Sequence, residues 1–587
     1  MMSTLFLTRA VVLGMAGSDL VTLDDLVQAH PERVQGLFAQ LDLENAALQT
    51  VKAAVEKEAW TDACEALLDY YRKCDTQKHL RRKLPAKSAQ PYAPADPILD
   101  GTITCYDQTG MVPRREDGGL DWFYNGPEND LEWGWGLNRF WWSTKLLQAS
   151  QQTGNPIYAQ THDQFLRDWF LSVPYPDKKT RGPWRGLETF SRISRPLPQA
   201  FYGLLDSTDF TDVTRILLLA SVAEHANYLR HHHAKAGNWI TMELRGLATA
   251  GIVFPELKDA NAWVDYAMER MIPEMKEQVY PDGAQKELTS HYHRVTLNNF
   301  EEFLSLIEGA GREVSPEFRD GIINMWNYLA YTMRPNGYGI LNNDSDYDHT
   351  RPNITKAADR FNKSDWKYIA SNGEAGEMPT GLPSLMFPWA GQLLMRNGWD
   401  THAHWAFFDV GPLGIAHRHF DKLHLSIHAC GRDLLVDSGR FSYKGGDWRN
   451  YFCNEYAHNV VLFDGKRPLD RSNEVNKPLS EKDYVVTDTY DFARGTLEGK
   501  ITGFKKNVSH RRSVLYIKNQ CWIVVDKLKC GQPCTLKTLW HYHPECTVAV
   551  SNNTVTSTNP DKGNLRIVPA QGVVWDITIV EGQEEPY

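Results

Sequence analysis

The hydrophobic period of this chain changes once, near Trp399, and that switch limits the possible folds more than any other feature. Upstream, apolar residues recur at helical spacing: Trp263, Val264, Ala267 and Met271 share one face, and so do Phe300, Phe303, Leu304 and Ile307. Downstream come short β-branched and aromatic runs (HWAFFDV, KLHLSIHA, HNVVLFDG, RRSVLYIK, CWIVVDKL, VVWDITIV). Turn residues separate them, as at Asp464-Gly465 and Lys518-Asn519-Gln520, which is the pattern of an antiparallel sheet domain. A chain of 587 residues has material for at least two cores, so both halves can fold as domains.

The helical half is bounded by readable signals. Ser315-Pro316 reads as an N-cap with proline at the first helical position, and Phe318, Ile322, Met325 and Leu329 follow until Pro335 stops the helix. Gly309 and Gly311 end the helix before it, so successive helices are joined by short connections. Stacked antiparallel hairpins of this kind predict an (α/α) toroid, followed by the antiparallel β-sandwich. The expected division is a leader over 1–30, a helical arm and toroid over 31–395, and the sandwich over 396–587. Leu5–Gly17 has the length and small-residue ending of a signal segment, but Arg9 interrupts it and no Lys or Arg precedes it. A periplasmic or secreted protein and a plain leader are both compatible with that. The chain stops just after a strand-like run, so the sandwich is expected to be short of strands at its C-terminal edge.

Composition narrows the function. With 63 Lys+Arg against 73 Asp+Glu, the net charge of −10 argues against a phosphate-driven nucleic-acid binder, and no apolar run is long enough to span a membrane. The nine cysteines include no CxxC pair, which points to buried thiols in place of a zinc ribbon or disulfide scaffold. Nineteen tryptophans raise the prospect of a carbohydrate partner, because sugar rings have apolar faces that pack on indoles. Of Trp133, Trp135, Trp141, Trp142 and Trp184, most are expected in the helical core.

Three segments carry candidate chemistry. Gly237-Asn238-Trp239 opens a helix, where an Asn is ordinarily an N-cap but can also neutralise a carboxylate at the positive end of the dipole. Glu287, His291, Tyr292, His293 and Arg294 set a phenol among protonatable groups, an arrangement expected to lower the Tyr292 pKa and support acid/base work. In Ala416-His417-Arg418-His419-Phe420-Asp421-Lys422-Leu423-His424, strand alternation would put His417 and His419 on one face. With Asp437 and His458 these are residue types that bind zinc, although a solvated histidine-rich strand fits equally well.

Several blocks together carry a resemblance. HRHFDKLHLSIHACGRDLLVDSGRFSY and AHNVVLFDG, after a helical half, resemble the heparinase II/III-like polysaccharide lyases. LDLENAALQTVKAAVEKEAWTDACEALLDYYRK, DLEWGWGLNRFWWSTKLLQA and GNWITMELRGLATAGIVFPE are most similar to the heparinase III branch, which acts on heparan sulfate. The resemblance implies a toroid joined to a sandwich, with a cleft between them that cuts uronate glycans by β-elimination. It implies Asn238 as neutraliser of the substrate carboxylate, Tyr292 as the catalytic tyrosine and His417 as the histidine beside it. His419, Asp437 and His458 match the ligands of one structural divalent metal, zinc by type, and no organic cofactor is expected. Trp239 departs from the family, where a His often follows the Asn.

The chemistry suits these residue types. A uronate C5 proton becomes removable only when the adjacent carboxylate is neutralised, after which a base takes it and an acid protonates the leaving 4-oxygen. Arg294, Glu287 and Arg245 are candidate substrate contacts, the two arginines being as readily structural. The expected partner is an acidic polysaccharide, with no nucleic acid and no membrane. Alginate and hyaluronan are alternative substrates. A toroid glycoside hydrolase using carboxyls such as Glu243, Glu287, Asp344 or Asp346, and a non-catalytic glycan binder, are the rival classes.

Overall fold

The computed structural model describes residues 20–443, 445–468, 474–561 and 563–585. Two compact units emerge, Met1–Ile272 with Glu302–Glu313, and Pro273–Glu301 with Val314–Tyr587. The signal-like Leu5–Gly17 lies outside the described residues. Helix begins at Leu23, ahead of the expected position 31, because Thr22 and Asp25 form a reciprocal capping box and Leu23 and Leu26 are buried.

Among the described residues the first unit is helical apart from one hairpin, Thr102–Cys105 with Gln108–Met111, a departure from the all-helical expectation. The Asp212–His232 helix starts at Thr211, whose hydroxyl accepts from the Thr214 N–H, and it is buried over most of its circumference. The Asn238–Val253 helix packs closely on its neighbours at Gly246, where a Cβ would press on Leu229, Phe190 and Ile193. Large aromatics fill the interior: Trp122 stacks on Trp142 at 5.6 Å, and Trp133 and Trp169 are also buried. Of the five indoles singled out above, Trp133, Trp142 and Trp184 are core, whereas Trp141 is exposed and Trp135 half-buried.

In the second unit the Pro316–Thr332 helix has the expected cap, with the Ser315 side chain accepting from the Phe318 N–H and Phe318, Ile322, Met325 and Leu329 all buried. Five antiparallel strands follow in simple order, Leu385–Phe387, Gln392–Arg396, Trp405–Asp409, Leu425–Ala429 and Arg432–Leu435. The sheet thus begins at Leu385, before the expected boundary at 396, and the helices after Val314 belong to the same compact unit as the strands. A second antiparallel sheet orders Tyr484–Val486, Tyr490–Gly499, Val508–Ile517 and Cys521–Lys529. Burial alternates along Val508–Ile517, and Leu393, Phe408, Leu425 and Ile427 share one core with Ala493, Leu497, Val514 and Tyr516. Both expected turns form: Asp464 and Gly465 have φ of +48° and +72°, and Asn519 has φ of +66° between two paired strands. The run VVWDITIV forms no strand. It has no ladder partner among the described residues, and Val574 is 86% exposed.

Candidate active site

Tyr292, a residue of the second unit, lies in the first turn of the Ser290–Gly309 helix. The phenol ring lies flat on the His417 imidazole, with centroids 3.6 Å apart and an interplanar angle of 9°. His417 Nδ1 is 2.5 Å from a Glu287 carboxylate oxygen. A carboxylate accepts and cannot donate, so the proton sits on Nδ1 and the Nε2 lone pair is left for other work. The residues around His417 form a loop, not the expected strand. His417 itself has φ of +52°, which ends extended geometry and sends His417 and His419 to different surroundings.

The Tyr292 hydroxyl is 2.5 Å from that of Tyr443. Burial, reinforced by this hydrogen bond, pushes the Tyr292 pKa well up, opposite to the expected lowering. Its basic neighbours are committed elsewhere: Arg294 pairs with Asp348 at 2.7 Å, and His291 Nδ1 lies 2.8 Å from Asp346. Arg440 pairs with Asp346 and stacks 4.4 Å over the Tyr443 ring, and Arg449 lies 5.5 Å from it. Burial raises Tyr443 as well, while Tyr292 and Arg440 oppose that rise.

Below this surface lies a buried polar cluster. Asp344 is fully buried, takes two hydrogen bonds from Arg449 (2.6 and 2.8 Å) and holds His419 Nε2 at 2.8 Å. Although burial opposes it, these partners keep the Asp344 carboxyl down at about 2. His458 Nδ1 lies 3.0 Å from Asp437, and His424, Asp437 and His458 form one close group. A second close group is Asp344, His419 and Cys453, so His419 falls outside the close group that contains Asp437 and His458.

In the first unit Asn238 is the first residue of its helix, and Gly237, not Asn238, occupies the N-cap position. The Asn238 amide is therefore not consumed by capping. Beside it Trp239 is 42% exposed, and the Arg185 guanidinium lies 5.2 Å from its ring and 3.4 Å from that of Trp135. A fork of two hydrogen bonds to Glu188 (2.6 and 2.8 Å) holds Arg185 in place. Arg245 pairs with Glu302 and stacks 4.8 Å over Phe190, so it already has a carboxylate partner.

Glu243, on the same helix as Asn238, is buried and accepts from the Ala234 N–H at 2.5 Å. Burial raises its pKa to about 7 from an ordinary 4.5. The unfolded chain loses this proton at a lower pH than the folded one, so the position costs stability as pH rises from 4.5 to about 7. Glu243→Gln is expected to stabilise the protein at pH 8 by on the order of 2 kcal/mol and to change little at pH 4.5. Denaturant midpoints at the two pH values check this, and an equal effect at both would refute it.

Residues 37–368 match the family model described as Heparinase II/III N-terminus, and residues 379–583 match Heparinase II/III-like, C-terminal. The chain belongs to the heparinase II/III family. A heparin-sulfate lyase of Bacteroides stercoris is 28% identical, over 89% of this chain and 80% of the relative. One from Pedobacter heparinus is 26% identical, over 90% and 81%. Among solved structures, a heparinase III aligns with a TM-score of 0.72 at 26% identity, covering 90% of this chain and 84% of that one. Another heparinase III aligns at 0.76 and 22%, covering 90% and 85%, which speaks for the fold alone.

His424 has no spare lone pair: Nδ1 accepts from the Asn459 N–H at 3.0 Å, and Nε2 is bonded to the Ser426 hydroxyl at 2.7 Å. His419 Nδ1 and His458 Nε2 are buried with no hydrogen-bond partner, and their rings are 5.5 Å apart. Two orphaned imidazole nitrogens in this cluster are zinc-type donors, although His419 is not gathered with Asp437 and His458. Tyr443, Arg440 and Arg449 were missed by the sequence reading. No local spacing links residue 443 to residue 292.

Proposed function

We propose that this protein is a lyase that cleaves heparan sulfate-like uronate glycans by β-elimination. Its relatives' activities and the residue set around Tyr292 support this reading. The single observation that carries it is the stack of Tyr292 on His417, with Glu287 behind the imidazole and Tyr443 behind the phenol. The Asn238 amide binds the uronate carboxylate and reduces its charge, which makes the C5 proton removable. His417 Nε2 takes that proton, the electron pair forms the C4–C5 double bond, and the C4–O4 bond breaks. Tyr292, kept protonated by its raised pKa, donates to the departing O4. Tyr443 stands ready to resupply it. Glu287 acts through His417, fixing its tautomer.

His458 and Asp437 would hold one divalent ion, toward which His419 would have to move, since its donor atoms lie outside their group; imidazole and carboxylate donors favour zinc. When bound it would cross-link the buried cluster and stiffen the loop that carries His417. A hydrolase reading finds less support. Of the four carboxyls weighed, Asp344 is held ionised by Arg449 and His419, Glu287 is committed to His417 and Asp346 to Arg440 and His291, which leaves only Glu243, raised to about 7, as a proton donor and no second carboxyl to work with it.

Incubation with heparan sulfate, alginate and hyaluronan tests the reading. Elimination leaves a conjugated double bond, so ultraviolet absorbance is expected to rise with heparan sulfate and far less with the other two. New reducing ends without new absorbance would mean hydrolysis and end the proposal.

A further inference from the structure

The helical unit contains a second feature suited to acidic sugars, away from Asn238. A cavity of about 760 Å³ is lined by His79, Arg82, Lys145, Arg195 and Arg245, and by no carboxylate. That is a local excess of positive charge on a chain whose net charge is −10. Arg82 and Lys145 make no ion pair among the described residues, and Arg82 is exposed. The other two arginines share one acid, Glu302, with Arg195 at 3.1 Å from it. The cavity adjoins another of about 660 Å³ that shares Arg195 and Arg245, where Glu302 and a paired Asp75–Lys78 (2.9 Å) supply the acidic side.

One wall comes from a single helix, Trp141–Thr153. Trp141, Thr144, Lys145, Gln148 and Gln151 are spaced so that they fall on one helical face, and all five line the cavity. Helix residues on a core-facing stripe would be apolar. This stripe is an indole, a hydroxyl, a cation and two amides. Trp141 is 39% exposed, braced at its edge by Tyr106 at 5.5 Å and by Arg139 at 5.4 Å. An indole beside cations and neutral hydrogen-bonding groups matches the three surfaces of an acidic sugar: an apolar ring face, hydroxyls and charged substituents. Arg245 lies seven positions along the helix from Asn238, about 10 Å at 1.5 Å per residue, so the cavity and the catalytic amide are separate places on one rigid element.

We infer that this cavity is a second binding site for sulfated or carboxylated oligosaccharides, distinct from the residues around Asn238. It goes beyond the lyase reading and does not require it, since it concerns binding without turnover. Its consequence for a polymer-degrading enzyme is retention: a long chain held at two places dissociates more slowly than one held once.

The test is binding stoichiometry by calorimetry in the Tyr292→Phe protein, which removes turnover, with a short sulfated heparan oligosaccharide as the probe. Two binding events per chain are expected, and Arg82→Glu with Lys145→Glu should abolish one or weaken it at least tenfold. Trp141→Ala should weaken the same event, and Lys145→Arg should retain it. If the lyase reading alone is wrong, one event remains and the charge reversals remove it. One event that the reversals leave unchanged overturns the inference, as does saturation of the second site by inorganic sulfate with no further gain from the saccharide.

Discussion

Tyr292→Phe is expected to give a folded protein whose kcat on heparan sulfate is down roughly 10²- to 10⁴-fold, with KM little changed. The ring is kept, so the flat stack on His417 survives, and only the hydroxyl that meets Tyr443 is removed. Tyr443 is about half exposed, so its hydroxyl can turn to water and the stability cost should stay near 1 kcal/mol. The loss is therefore expected in the chemical step, on the order of 3 to 5 kcal/mol of barrier. The raised pKa adds a second expectation. A phenol held well above its ordinary value by burial serves as an acid and is a poor source of phenolate, so raising the pH toward 9 should not increase the rate through this group. Single-turnover kinetics and a thermal melt check both points. A variant that keeps wild-type kcat would remove Tyr292 from the reaction.

The parts of this molecule that could be read in its sequence are those set by local physics. The stripe Phe300, Phe303, Leu304 and Ile307 is fully buried as its spacing requires, and Ser315 caps its helix because Ser followed by Pro leaves little else for that backbone to do. Asp464-Gly465 turns where two positive φ values are needed. Local pattern misled where tertiary contacts decide. His417 and His419 alternate like strand residues, yet a left-handed residue at 417 sends one to Glu287 and the other to Asp344. VVWDITIV has strand composition, but a strand needs a neighbour, and none is paired with it among the described residues.

The site shows the same division. Residue types near Tyr292 mark a cluster of protonatable groups, but the sign of its pKa shift depends on where each basic side chain is already paired. Arg294 and His291 are held by Asp348 and Asp346, and that leaves desolvation as the dominant effect. Tyr443 and Arg449 come from a stretch some 150 residues further on, so only the folded chain could bring them forward. In the buried cluster the sequence suggested the ligand types, while the folded chain gathers His424, not the expected His419, with Asp437 and His458.

Asn238→Asp is expected to separate the two things an amide can do at a helix start. If Asn238 served the helix, aspartate would be harmless or helpful, because a negative charge in the first turn interacts favourably with the dipole, by about 0.3 to 1 kcal/mol. Gly237 holds the cap position here, so the melt of the variant should match or slightly exceed that of the parent. If Asn238 serves the substrate, the same change replaces a donor with a charge of the sign the site must neutralise. The nearly isosteric aspartate should then be at least as damaging as Asn238→Ala, with kcat/KM down roughly 10²- to 10³-fold or more, the cost of losing one such donor. Stability and catalysis are thus expected to move in opposite directions from a single atom-for-atom exchange. A loss of activity that tracked a loss of folding would return Asn238 to a structural role, and retained activity would show that the uronate charge is met by other groups.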